Sequence, residues 1–314
     1  MGAEWSGMGE STWSDLGRVR ARLAAGADPD GSDHWGPVLF RAAAFGSPEV
    51  VAELADRVAD VDAFDEGHTA LWAAVFHRQP GNARALVEAG ADPWRVMMNG
   101  WSPARLALAG PTPGLFPPSD LALSPGELAA VALSEDLFTA LEAIDDDGHS
   151  IACVAGVTAA EAVRRLGGTV VTEDELGPGF DDPGDAWHDD RLEGVVGVTD
   201  VTGGCVVTQP WGWHASDERL LRKLTRGTRG YAMFANPKSG EQGVGAVDGE
   251  ITDWDTILGL APPTAADSAE ELLLKFLYQD DAEAYCCGYA GLRLTDARPI
   301  LGPPDLWIRL DPTR

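Results

Sequence analysis

Three short loops stand in register along the first third of this 314-residue chain. They are Gly26-Ala27-Asp28-Pro29, Val58-Ala59-Asp60-Val61 and Gly90-Ala91-Asp92-Pro93, whose aspartates fall at 28, 60 and 92, a constant step of 32. Between the loops lie two helical patterns per step. Leu39 to Phe45, Leu71 to Phe76 and Pro103 to Ala109 form the first, and Val50-Val51-Leu54 and Ala83-Leu86-Val87 the second. A turn and two helices cannot bury their apolar faces alone, so such units stack into a solenoid with one continuous core. Solenoids usually serve as binding surfaces, and this one spans about Trp13 to Gly110.

The repeat resembles the ankyrin repeat. Gly46-Ser47-Pro48-Glu49-Val50-Val51 follows that family's second-helix start, and Gly67-His68-Thr69-Ala70-Leu71 follows its Gly-x-Thr-Pro-Leu. A last unit keeps Gly100-Trp101-Ser102-Pro103 but loses its second helix to Pro111, Pro113, Pro117 and Pro118, because a helix interior does not accept such a run. At the other end Asp15 to Leu23 supplies a second helix without a clear first one. The array therefore holds roughly three to four units, close to the minimum for a continuous core. Where the family has His after Thr-Pro-Leu, this chain has Phe40, Trp72 and Arg105, and aromatic packing is expected in place of the usual polar tie. The resemblance implies contact residues at the loop tips, His34, Phe64, His68, Met98 and Trp101, and on the inner helices, Phe45, Phe76 and His77. Exposed aromatic and Met side chains are enriched in binding patches.

The chain is long enough for two cores. Its net charge is -27, which argues against nucleic acid as the main partner because phosphates would be repelled. The acidity is uneven: residues 1–114 hold 15 acids and 9 bases, residues 115–314 hold 35 and 14. Only three of the 23 basic residues are lysines, a bias that goes with high-GC bacterial genomes. No signal-like or membrane-length apolar run is present, and Cys153, Cys205, Cys286 and Cys287 show neither a disulfide framework nor a metal-knuckle spacing. These features predict reduced thiols in a cytoplasmic protein, with no membrane contact.

Ser124-Pro125-Gly126-Glu127 is a capping box with Pro at the first helical position, so a helix is predicted from there toward Ile144, placed to seal the solenoid's open end. A boundary near residue 147 follows, at Asp145-Asp146-Asp147-Gly148. The predicted divisions are a repeat domain at 1–114, a Pro-rich linker and helical cap at 115–147, and an acidic, Trp-rich α+β domain at 148–314. In the last, Thr158 caps a helix to Leu166, and Val195 to Thr199 and Cys205 to Gln209 form a hairpin through Thr202-Gly203-Gly204. A basic helix runs from Glu218 to Thr225, strands follow at Tyr231 to Asn236 and Val244 to Val247, and Asp248-Gly249 turns into Ile251 to Trp254. Ser268 opens an amphipathic helix through Tyr278, and the tail ends in Leu306-Trp307-Ile308. Residues 150–278 resemble an uncharacterised domain of actinobacterial proteins, which brings no known activity.

Candidate chemistry is sparse. Glu173 to Glu193 holds nine acids and one base, Arg191, without the ligand spacing of an EF-hand, and reads as a solvated acidic loop. Within it His188 is followed by two carboxylates, Asp189 and Asp190, and as a metal ligand it is outweighed by the solvated reading. Arg219, Arg222, Lys223 and Arg226 share one helical face, either as an anion site or, preferred here, as partners of the acidic loop. Cys205 and His214 make an unspecified nucleophile pair at best, a buried strand cysteine being the better account, and Gly243-Val244-Gly245 lacks the form of a nucleotide loop. Trp211 and Trp213, one Gly apart, would point to the same side of an extended backbone and form a recognition surface. The reading is a non-enzymatic α+β protein with no cofactor and no bound metal that binds another protein, one with a basic face. The rivals are an immunity-type inhibitor of a basic toxin and an enzyme of unrecognised class.

Overall fold

The computed structural model describes residues 5–142, 144, 148–177, 192, 194–236, 238, 240–255, 263–279 and 281–311. The fold is α+β and divides into two compact units, Met1–Leu128 with Pro263–Phe276, and Ala129–Pro262 with Leu277–Arg314.

The first unit is the solenoid. Its helices are α1 (Leu16–Ala24), α2 (Val38–Phe45), α3 (Pro48–Ala55), α4 (Ala70–Phe76), α5 (Pro80–Glu88) and α6 (Pro103–Ala109), with a two-residue-per-strand hairpin of β1 (Ser32–Asp33) and β2 (Gly36–Pro37) before α2. Helices α2, α4 and α6 stack as one row and α1, α3 and α5 as the other. Caps set the starts: Ser47, Thr69 and Ser102 accept from the backbone N–H three residues on, at 3.4, 3.3 and 3.2 Å, and Pro48 and Pro103 occupy positions where no N–H is needed. Val50, Leu54, Leu71, Trp72, Leu86 and Leu106 are fully buried between the rows.

Both aromatic and polar ties link successive repeats within the first unit. Phe40 meets the His68 ring edge-on at 5.3 Å. The loop aspartates turn their own chain, Asp28 accepting from Asp30 N and Asp60 from Asp62 N, at 3.0 and 2.9 Å. Each second aspartate then reaches the next loop: Asp30 accepts from Ala59 N at 3.1 Å and Asp62 from Asp92 N at 3.1 Å. Deeper in, Asn82 on α5 donates to the carbonyls of Ala42, Ala43 and Gly46 at 3.3, 3.0 and 3.0 Å, and satisfies the end of α2.

After α6 the prolines leave residues 111–124 without a helix, as expected. The open side is covered differently from the sequence expectation. Only the first residues of the capped helix α7 (Pro125–Leu141) belong to this unit, where Glu127 holds Arg105 at 2.8 Å. The remaining cover is the distant segment 263–276, helical from Ala269 onward.

The second unit is an eight-stranded antiparallel sheet in the order β4 (Thr169–Val171), β10 (Leu306–Arg309), β5 (Val195–Val201), β6 (Gly204–Gln209), β3 (Ser150–Ala155), β7 (Arg229–Asn236), β8 (Gly240–Val247), β9 (Glu250–Asp255). Its helices are α8 (Ala159–Leu166), the short α9 (Glu173–Leu176), α10 (Glu218–Leu224), α12 (Ala282–Ala290) and α13 (Arg298–Leu301), while α11 (Ala269–Leu277) carries the returning segment. Ala162 and Leu166 of α8 and Leu220, Leu221 and Leu224 of α10 pack with Ala152, Val154, Val198, Val207 and Ala232 on one face. On the other, Tyr285 and Tyr289 of α12 meet Tyr231 edge-on at 5.2 and 5.1 Å, and Thr208 donates to Ile300 O at 2.9 Å. Two covered faces explain why β3, β5 and β6 are buried at nearly every position and show little apolar-polar alternation. The Asp248-Gly249 turn forms with φ of 51° and 80°, the mirror-image geometry a two-residue hairpin needs. The expected boundary aspartates 145–147, Trp187, His188 and the loop between residues 177 and 192 lie outside the described residues.

Candidate protein-binding surface

A row of rings runs across the ends of the inner helices. Arg41 lies over the Phe45 ring at 4.6 Å, Phe45 meets His77 at 5.0 Å, and His77 meets Phe76 at 5.6 Å. These side chains sit at the C-terminal ends of α2 and α4 because Phe45 and Phe76 are the last residues of those helices. Arg41 is held from below by Asp33 at 3.7 Å and from outside by Glu10 at 4.0 Å. Phe45 and His77 are half-buried, so the row offers a partly open run of mutually tilted rings with one cation over it.

The loop tips add separate projections. His34 is exposed and packs edge-on at 4.8 Å against Trp35, which is 71% exposed. Both border an open recess of about 410 Å³ with Trp5, Met8 and Asp33. Phe64 is exposed beneath the Arg95 guanidinium, 4.2 Å from the ring centroid. His68 closes the next hairpin through paired backbone bonds with Asp65, both 3.0 Å. Burial pushes its pKa below the usual imidazole value, partly opposed by the Glu66 backbone and the nearby carboxylates of Asp65 and Glu66.

Three expected contact residues are not at the surface. Phe76, Met98 and Trp101 are 5%, 4% and 0% exposed. For Phe76 and Trp101 the physical reason is the returning segment: the Phe276 ring meets Phe76 at a tilt, 5.9 Å between centroids, and Trp101 donates to Ala269 O at 3.2 Å while Arg105 covers its ring at 4.5 Å. The sequence reading overlooked Trp35 and Arg41. Trp35 follows His34 directly and could have been found from the same loop-tip argument, whereas nothing in the local pattern marks Arg41.

In the second unit Trp211 and Trp213 do not share a side. The chain bends at Gly212, whose φ of 144° suits glycine and whose missing Cβ leaves room for the Gln209 amide. Trp211 borders a shallow cleft with Leu176, Leu192 and Trp307, while Trp213 is half-exposed and stacks on His214 at 4.5 Å.

Among the described residues the remaining candidates are placed without assembled chemistry. Cys205 sits in the sheet core with its thiol pushed up to about 12 by burial, and the His214 ring is turned to Gln209 Oε1 at 3.2 Å. The hydrogen bond with the Cys287 thiol 3.6 Å away, and burial after it, raise Cys153 well above the thiol range. Of the basic helix, Arg222 pairs with Glu250 at 3.1 Å and Gly249 O at 3.4 Å, so it serves the β8–β9 turn. Among the described residues no group of three His, Cys, Asp or Glu is placed to hold a metal, and no helix is long and apolar enough to cross a membrane.

No curated protein matches the chain significantly. Residues 15–97 match the family model for ankyrin repeats in three copies, so the first unit carries an ankyrin-repeat array.

Proposed function

We propose that the chain is a non-enzymatic adaptor whose partner docks on the ankyrin unit, across Arg41, Phe45 and His77 and the tips at His34, Trp35, Phe64 and His68. Ankyrin repeats are generally protein-interaction modules, and the observation that carries the reading is the half-buried row from Arg41 to His77 beside exposed tryptophan and phenylalanine tips. Aromatic anchors flanked by arginine are the side chains that dominate protein interfaces. Trp213 supplies a second, isolated aromatic on the other unit.

The charge supports a partner with a basic face, since 35 acids against 14 bases in residues 115–314 leave a strong negative field. An immunity-type inhibitor of a basic toxin is the second reading, favoured by that same excess. Four free, buried thiols support a reducing, cytoplasmic setting. The resemblance of residues 150–278 to an actinobacterial domain adds no activity to either reading.

The test is capture of partners from the native host's lysate on the immobilised full chain, beside Phe45→Ala, His77→Ala and Trp35→Ala. The expected result is one partner whose recovery drops at least tenfold with Phe45→Ala or His77→Ala and whose association slows as salt rises. Recovery unchanged by all three substitutions refutes the surface, and a salt-independent on-rate removes the basic-face requirement.

A further inference from the structure

The segment 263–276 is held by the repeats in the manner of a bound peptide. Three side chains of the array reach its main chain: Asn99 donates to Asp267 O, Trp101 to Ala269 O at 3.2 Å, and Arg78 to Phe276 O at 3.1 Å. Every residue has a carbonyl, so these bonds select a backbone path and not a sequence. The side chains of Leu272, Leu273, Leu274 and Phe276 in the segment are buried. Phe276 is the plug among them: it is 1% exposed, its ring lies against Gly110, and it lines a small recess with Val75, Pro80, Ala107 and Leu115. The recess is tight at its floor, since a Cβ on Gly110 would stand 2.8 Å from the ring.

The segment also organises itself. Ser268 and Glu271 form a reciprocal cap, at 2.7 and 3.2 Å, and Lys275 pairs with Asp267 at 2.8 Å. A peptide that makes its own helix start loses less entropy on docking. Its plug meets Phe76, the ring next in line after Phe45 and His77. The covered groove is thus continuous with the open row.

We propose that the α4–α6 face is a docking groove for a short, capped amphipathic helix with a Phe anchor, and that residues 263–276 are its resident occupant. A partner helix of the same chemistry enters by displacing them, which uncovers Phe76 and lengthens the aromatic row. This rests on the reading of the array as a binding surface and names the class of ligand it takes.

The probe is a fluorescent synthetic peptide of residues 263–279, added to the full chain and to the full chain carrying Phe276→Ala. The variant is expected to bind the peptide at least tenfold more tightly than the unsubstituted chain, and a peptide carrying the same substitution loses that gain. A folded variant that binds the peptide no better than the unsubstituted chain overturns the proposal. Hydrogen exchange on the unsubstituted chain gives a second reading that survives misfolding of the variant. Amides of α11 are expected to exchange at least tenfold faster than those of α4 and α6 by local release. Exchange of all three at one rate makes the segment a fixed part of the core and overturns the proposal. Neither measurement needs the external partner, so failure here leaves the capture test standing, and a failed capture leaves these results intact.

Discussion

Asn82 is the side chain on which the polar joint between the second and third helical pairs depends. It is 1% exposed, and its amide nitrogen faces three carbonyls, those of Ala42, Ala43 and Gly46, two of them at 3.0 Å. Two N–H groups serve three acceptors, so two full bonds are the fair count. Removing a donor from a buried acceptor costs about 1–3 kcal/mol per group, because the carbonyl loses its partner without regaining water. Asn82→Ala should therefore cost about 2–6 kcal/mol in the ankyrin unit. Asn82→Asp should cost more at neutral pH, since a carboxylate would face three carbonyl oxygens in a dry site and donate nothing. At low pH the protonated acid regains one donor, and the gap to Asn82→Ala should narrow. Urea unfolding followed by tryptophan fluorescence reads the effect, with Trp13, Trp72 and Trp101 fully buried in this unit. Two transitions are fitted separately, because a chain of two units need not unfold in one step. A loss below 1 kcal/mol in Asn82→Ala, or an Asn82→Asp variant no weaker than Asn82→Ala at neutral pH, would falsify the assignment of the joint to these bonds.

Three further outcomes are expected. His68 has its pKa lowered in the fold, mainly by burial, so the unfolded chain takes up its proton first as pH falls; stability present above about 6.5 is lost below it, and His68→Gln should flatten that arm of a pH–stability curve. Glu161 is held at about 2 by hydrogen bonds from Arg164 and Arg165, so its carboxyl resonance should stay in the ionised position at pH 3.5 and return toward ordinary carboxylate titration in a chain carrying both arginines as Gln. The four buried thiols should be silent to an aromatic disulfide reagent in the native protein at pH 8 and react together on unfolding; prompt reaction of Cys153 or Cys286 in the native state contradicts the burial that raises both.

The local signals in the sequence were strong wherever one rule decided one element. Ser47 and Ser102 before Pro, the Thr69 cap, the prolines after Ala109 and the Asp248-Gly249 turn each act through backbone geometry within four residues. Such features settle without knowledge of the rest of the chain. The central strand β3 and helix α12 escaped notice for the opposite reason. Ser150 to Ala155 is covered on both faces and α12 is buried nearly all round, and neither leaves the alternation that marks a half-buried element.

Partner choice was decided only in three dimensions. The sequence marks Ser268 to Tyr278 as an amphipathic helix, but a hydrophobic stripe states that a face is buried and not what it is buried against. Its packing on Arg78 and Trp101, 198 and 168 positions away in the chain, buried Phe76 and Trp101 and moved them from the expected contact surface into the core. The same holds for the Trp211-Gly212-Trp213 turn, where room beside Gln209 bent the backbone and sent the two indoles to different neighbours. A 32-residue period fixes the array because each unit meets only its neighbours in sequence; the cap, the sheet order and the exposed set depend on contacts between distant residues, which no local pattern encodes.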